Sequence, residues 1–90
     1  MDPTIAINER VEVVTVFNKD CEPNVFCVPA KMRWNGREIA LTELSLKHPT
    51  VQGKRMIHVF HVSDGANGYR LEFDAERLTW MLVSMIAERP

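Results

Sequence analysis

The sequence predicts an all-β chain: a small, strongly twisted antiparallel half-barrel of meander type with five or six strands, or with a C-terminal helix in place of the last strand. Three observations carry that expectation. Asn-Gly occurs twice, at Asn35-Gly36 and Asn67-Gly68, and both central positions of a type I′ hairpin turn need the positive φ that these residues tolerate best. Runs rich in valine and aromatics recur, among them ERVEVVTVF at 9–17 and RMIHVFHVS at 55–63, as strands require. The runs are short and separated by turn residues, which favours a barrel or sandwich over an α/β arrangement.

Ninety residues make one domain, expected to span 1–90 with 1–8 and 18–28 loop-like. Hydrophobic residues at 46%, charged residues at 26% and a net charge of -1 match an ordinary globular chain. They exclude a disordered acidic tail and a histone-like basic protein. No run approaches the roughly 20 apolar residues of a membrane helix. Met1-Asp2-Pro3-Thr4 lacks the basic start and apolar stretch of a secretion signal, so the expectation is a cytoplasmic domain without membrane contact.

The first strand is read from Glu9 to Phe17. In the first hairpin a two-residue turn at 35–36 pairs Trp34 with Arg37, Arg33 with Glu38, Met32 with Ile39, Lys31 with Ala40 and Ala30 with Leu41. Alternation then gathers Ala30, Met32, Trp34, Ile39 and Leu41 on one face, and Lys31, Arg33, Glu38 and Thr42 on the other. Beyond Leu41 the apolar parity shifts to Leu44 and Leu46, so a bulge near Thr42-Glu43 is expected to bend the strand. His48-Pro49-Thr50 is expected to end it.

A turn at 67–68 in the second hairpin would set Val62 across from Phe73 and His61 across from Asp74; Asp64-Gly65-Ala66-Asn67-Gly68 also allows a longer loop. Ile57 and Val59 make the strand apolar on both faces, as in a central strand or one curled within a barrel. At the C-terminus, Leu78, Met81, Leu82, Met85 and Ile86 follow a helical period with Asp74 as a candidate cap. Trp80 and Val83 fall off that stripe, and periodicity alone leaves helix and strand open.

Met32-Arg33-Trp34-Asn35-Gly36-Arg37-Glu38-Ile39, Tyr69-Arg70-Leu71-Glu72-Phe73-Asp74 and Thr79-Trp80-Met81-Leu82 together resemble a bacterial family of small β-barrels without an assigned activity. The resemblance spans roughly residues 29–86. It implies two paired strands, an aromatic strand ending in Asp and a closing strand carrying Trp, so 78–86 becomes a strand. It also implies domains that stand alone or accompany DNA-repair polymerase proteins, and it brings no catalytic set. The acidic segment before residue 30 has no counterpart in that family.

Cys21 and Cys27, six positions apart, are the only thiols. Structural zinc wants four Cys/His ligands in short paired spacings and CxxC is absent, so neither a metal nor a cofactor is expected. His58 and His61 would share a face only in a helix. An oriented base from His61 with Asp74, or a nucleophile from Cys21 or Cys27, is the enzymatic reading. Without a nucleophile elbow, P-loop, HExxH or dinucleotide fingerprint, the expectation is a protein that is not an enzyme.

Charge is segregated along the chain: -3 over 1–30, +4 over 31–55 and -2 over 56–90. A basic outer face near Trp34 and Tyr69 would suit single-stranded nucleic acid through Lys31, Arg33, Arg37, Arg55, Tyr69 and Arg70, but a pI of 6.3 gives no global attraction to phosphate. Val14, Val16, Ile57, Val59, Met81 and Met85 lie on faces that one thin sheet leaves uncovered. The leading expectation is therefore a non-catalytic binding or assembly module. It would act through an apolar face or edge strand on another protein or a second copy of itself, as a weak homodimer.

Overall fold

A computed structural model describes residues 4–16 and 28–87. Seven strands run β1 (Thr4–Val16), β2 (Val28–Trp34), β3 (Arg37–Ala40), β4 (Glu43–Gln52), β5 (Arg55–Ser63), β6 (Asn67–Asp74) and β7 (Thr79–Ala87). They form one antiparallel sheet in the order β3-β2-β1-β7-β6-β5-β4, a half-barrel. Every neighbouring pair is a hairpin except β1–β7, where Thr4 lies opposite Ile86 and Val11 opposite Trp80.

Curl follows from chain length. A flat sheet of seven strands, about 4.8 Å apart, would separate its edges by about 29 Å. Yet its two edge strands, β3 and β4, are joined only by Leu41 and Thr42, a link of at most about 11 Å. The sheet must bend until its edges meet. Leu41 N–H donates to the Ala30 carbonyl (2.9 Å) and Thr42 N–H to the Ser63 carbonyl (2.9 Å), so consecutive residues bond to opposite sides of the barrel. The break falls where the parity change demanded one. It divides the expected third strand in two and raises the count from five or six to seven.

The first hairpin pairs as its Asn-Gly turn predicts, from Lys31–Ala40 to Trp34–Arg37, with Asn35 at φ 53 and Gly36 at φ 71. Met32 and Ile39 enter the core beside Phe60, Val62, Tyr69, Leu71, Trp80 and Leu82. Trp80 bridges Phe60 (5.3 Å) and Phe73 (4.8 Å) through tilted ring contacts. Arg33 reaches Glu38 at 3.8 Å and Glu12 at 3.9 Å, exposed pairs of little energetic weight.

Three expectations need correction. Residues 4–8 are strand, not loop: Ile7, Val11 and Val13 pack against the core, but Glu9 occupies the same parity and Asn8 takes φ 55, and together these conceal the pattern. Val28 likewise belongs to β2. Pro29 is accommodated because this end of β2 pairs with β1 while β3 stops at Ala40. His48-Pro49-Thr50 does not end β4, which continues to Gln52 and turns at Gly53 (φ 65); proline is tolerated because β4 is an edge strand. Of the two turns open to the second hairpin, the chain takes the longer loop, through Asp64–Asn67, and not the two-residue turn at 67–68, so Val62 faces Tyr69 and His61 faces Arg70, while Asp74 faces Ile57. That displacement is four residues, an even number, so each side chain keeps its expected face.

Residues 79–87 are a strand. A bulge at Val83 puts Leu82 opposite Leu71 and Met85 opposite Tyr69. Both therefore face inward three positions apart, which reproduces helical spacing in extended chain. Asp74 does cap, but a single turn: its Oδ1 accepts the N–H groups of Glu76 (3.0 Å) and Arg77 (3.2 Å) before Leu78, at φ 57, redirects the chain into β7. Two stability outcomes follow. Leu82→Ala removes a fully buried side chain and should lower unfolding free energy by about 2–5 kcal/mol in denaturant titration. Leu78→Asn relieves a left-handed conformation worth about 1 kcal/mol, and calorimetry should show unfolding several degrees higher.

Candidate functional site

The sheet has two unlike ends. The upper end carries the Asp64–Asn67 loop; the lower end carries the Gly53-Lys54 turn, the 75–78 turn and the last residues of β1. Each of the longer loops is organised by one aspartate. At the upper end, Asp64 Oδ1 accepts from the N–H groups of Ala66 (2.8 Å) and Asn67 (2.7 Å), and Oδ2 accepts from the Tyr69 hydroxyl (2.8 Å). The Ser63 hydroxyl accepts from Gly65 N–H (3.0 Å). These bonds explain why the loop forms here and not at Asn67-Gly68.

At the lower end the Arg55 guanidinium donates to Asp74 Oδ2 (2.9 Å), with the Asp74 side chain only 10% exposed. Desolvation pushes both carboxyls up, but donors outweigh it and hold both below the ordinary 3.8. For Asp64 these are backbone N–H groups and the Tyr69 hydroxyl; for Asp74 they are the backbone groups of Arg77 and Glu76, then the charges of Arg55 and Arg77. Burial, then the hydrogen bond to Asp64, raises the Tyr69 hydroxyl above 10.0.

Several apolar side chains towards the lower end are exposed, beside the exposed Lys54, Glu76 and Arg77 of its turns. Leu78 is 75% exposed, Val51 64%, Val14 58%, Val16 51% and Met56 48%. Val51 and Met56 pair with each other at inward parity, below the point where the curled sheet covers its own interior. Of the six residues on uncovered faces, Ile57 and Val59 are buried on the outer face of β5 and Met85 packs partly against the inner core, whereas Val14, Val16 and Met81 stay exposed.

The residues read as a nucleic-acid surface are dispersed. Lys31 and Arg33 lie on the outer face of β2, and Arg37 is exposed beyond the first turn. Arg55 is committed to Asp74, and Arg70 lies 3.5 Å from Glu72. Tyr69 is a core residue, 4% exposed, and Trp34 packs against the core while its Nε1–H donates to Glu9 (2.9 Å). Neither ring stands free as a stacking platform. His61 and Asp74 are not partners across the ladder, and His58 and His61 point to opposite faces of β5. No group of three His, Cys, Asp or Glu side chains suited to a metal occurs among the described residues. Cys21, Cys27 and Phe17 lie outside those residues, as does the His48 side chain. The sequence reading missed Leu78, Val51 and Met56; Gly53-Lys54, with glycine first in a two-residue turn, was the signal for the last two.

No family model, curated protein or solved structure matches the chain. No helix among the described residues is long and apolar enough to cross a membrane.

The two aspartates predict an acid response. A carboxyl whose folded value lies below its unfolded value stabilises the fold above the unfolded value and loses that contribution as pH falls through the lowered one. The thermal midpoint should hold down to about pH 4 and then drop. Asp64→Asn with Asp74→Asn should lower the midpoint at neutral pH and flatten the acid limb. An acid limb as steep as the parent's would show that these carboxyls do not set it.

Proposed function

We propose that the chain is a non-catalytic binding or assembly module whose contact surface is the apolar lower end of the half-barrel. The observation that carries this reading is the exposure of Val14, Val16, Val51, Met56 and Leu78, each at least 48% exposed, with Val51 and Met56 paired at inward parity and Val14 beside Lys31 on the outer face. Leu78 adds weight: a leucine held at φ 57 and left in water is unfavourable for an isolated domain, and becomes useful if another surface covers it.

An apolar face is better supported than strand addition. Edge β4 carries a bulge between Leu44 and Leu46 and a proline at position 49, two devices that blunt an edge against pairing. Edge β3 has four residues, two of them the charged Arg37 and Glu38. Fully burying a side chain of this kind yields about 1.5–3 kcal/mol, whereas association costs about 4–15 kcal/mol. Five partly exposed side chains therefore support weak, reversible contact.

The occupant favoured here is a second copy of the chain. Sedimentation velocity over rising protein concentration should show a weight-average mass climbing from monomer towards dimer, and Met56→Glu with Leu78→Glu should return it to monomer. A parent protein monomeric at every concentration up to about millimolar, the range set by affinities near 4 kcal/mol, would refute self-association through this end.

A further inference from the structure

We propose that a recess on the outer face of the sheet, near its lower end, is an oxyanion site in which Arg10 and Arg77 clasp a carboxylate or phosphate group. The recess has a volume of about 160 Å³ and is lined by Arg10, Arg55, Arg77, Thr79, Ile57 and Met81, together with Glu72 and Asp74. Its three arginines come from distant parts of the chain: β1, the start of β5 and the 75–78 turn. The β1–β7 pairing is what brings Arg10 opposite Met81, and Met81 in turn lies opposite Glu72.

The charges within the recess are not equally committed. Asp74 uses one oxygen on Arg55 and the other on two backbone N–H groups, and the Glu72 carboxylate lies 3.5 Å from Arg70. Arg10 and Arg77 form no ion pair with any described residue. Two guanidiniums without an ion pair within 4 Å therefore flank the hollow; Arg77 feels the charge of Asp74 only at longer range, and both carboxylates have closer partners. Each presents a planar fork of donors matched to an oxyanion, the Thr79 side chain adds a hydroxyl donor, and Met81, 37% exposed, offers an apolar rest for the ligand's remainder. The surface differs from the apolar end that supports assembly, so either reading can fail without the other.

The test is a two-dimensional amide NMR titration of the full chain with inorganic phosphate and, separately, with glutarate. The expected result is saturable shifts centred on Arg77 and Thr79 with at least one probe; the responding probe identifies the head group as phosphate, carboxylate or either. Arg10→Gln and Arg77→Gln should each weaken that binding about tenfold or more, as loss of a charge-assisted hydrogen bond does, while Arg33→Gln leaves it unchanged. Both variants alter exposed side chains, and their spectra report directly that the fold is kept. Absence of saturable shifts with both probes overturns the proposal. So does binding by Arg10→Gln and Arg77→Gln equal to that of the parent.

Discussion

The two-residue link between β3 and β4 is the constraint on which the rest depends. Leu41 and Thr42 tie together the opposite edges of a seven-stranded sheet, and their backbone N–H groups bond to β2 and β5 respectively. Curl then follows from reach alone. It draws Met32 and Ile39 from one limb of the sheet onto Phe60, Val62 and Leu71 from the other, so the core joins residues about thirty positions apart in the chain. It also explains the lower end: inward-facing positions low on β4 and β5 lie beyond the overlap of the limbs, leaving Val51 and Met56 uncovered.

Charge is arranged on a similar division of labour. Two aspartates close two hairpin loops by the same device, a carboxylate accepting N–H groups two and three residues ahead. This local bonding competes with regular turn types and wins at both places. Asp74 spends its hydrogen bonds on its own loop and on Arg55, so it acts on Arg77 only through longer-range charge, and Glu72 lies 3.5 Å from Arg70. The surplus cations of the outer recess are thus a by-product of how the β6–β7 turn is built.

The fold was most legible where one local rule left a single solution. Asn35-Gly36 admits one register, and that hairpin could be read residue by residue. Around Asn67-Gly68 the same dipeptide misleads, because Asp64 supplies a stronger turn three residues earlier; alternation still assigns the correct faces. The beginning of β1 hides behind Glu9, a charged residue at an inward position whose partner, the Trp34 indole, lies 25 residues away. The C-terminal strand imitates a helix because a bulge at Val83 shifts Met85 onto the face of Leu82. The outer recess was not legible at all: Arg10, Arg55 and Arg77 are ordinary surface arginines until the long-range pairing of β1 with β7 sets them around one hollow.

That same pairing has a consequence for biosynthesis. β1 emerges from the ribosome more than seventy residues before the strand that completes its ladder, and at about 5–20 residues per second it waits several seconds or longer for it. During that interval only β2 can shield it, along Glu12–Val16, while the remainder carries bare amides and carbonyls on both flanks. The acidic and basic residues interleaved there, Glu9, Arg10 and Glu12, are gatekeepers of the kind that discourage nascent chains from sticking to one another. The charges of β1 thus serve the unfinished polypeptide as much as the finished one.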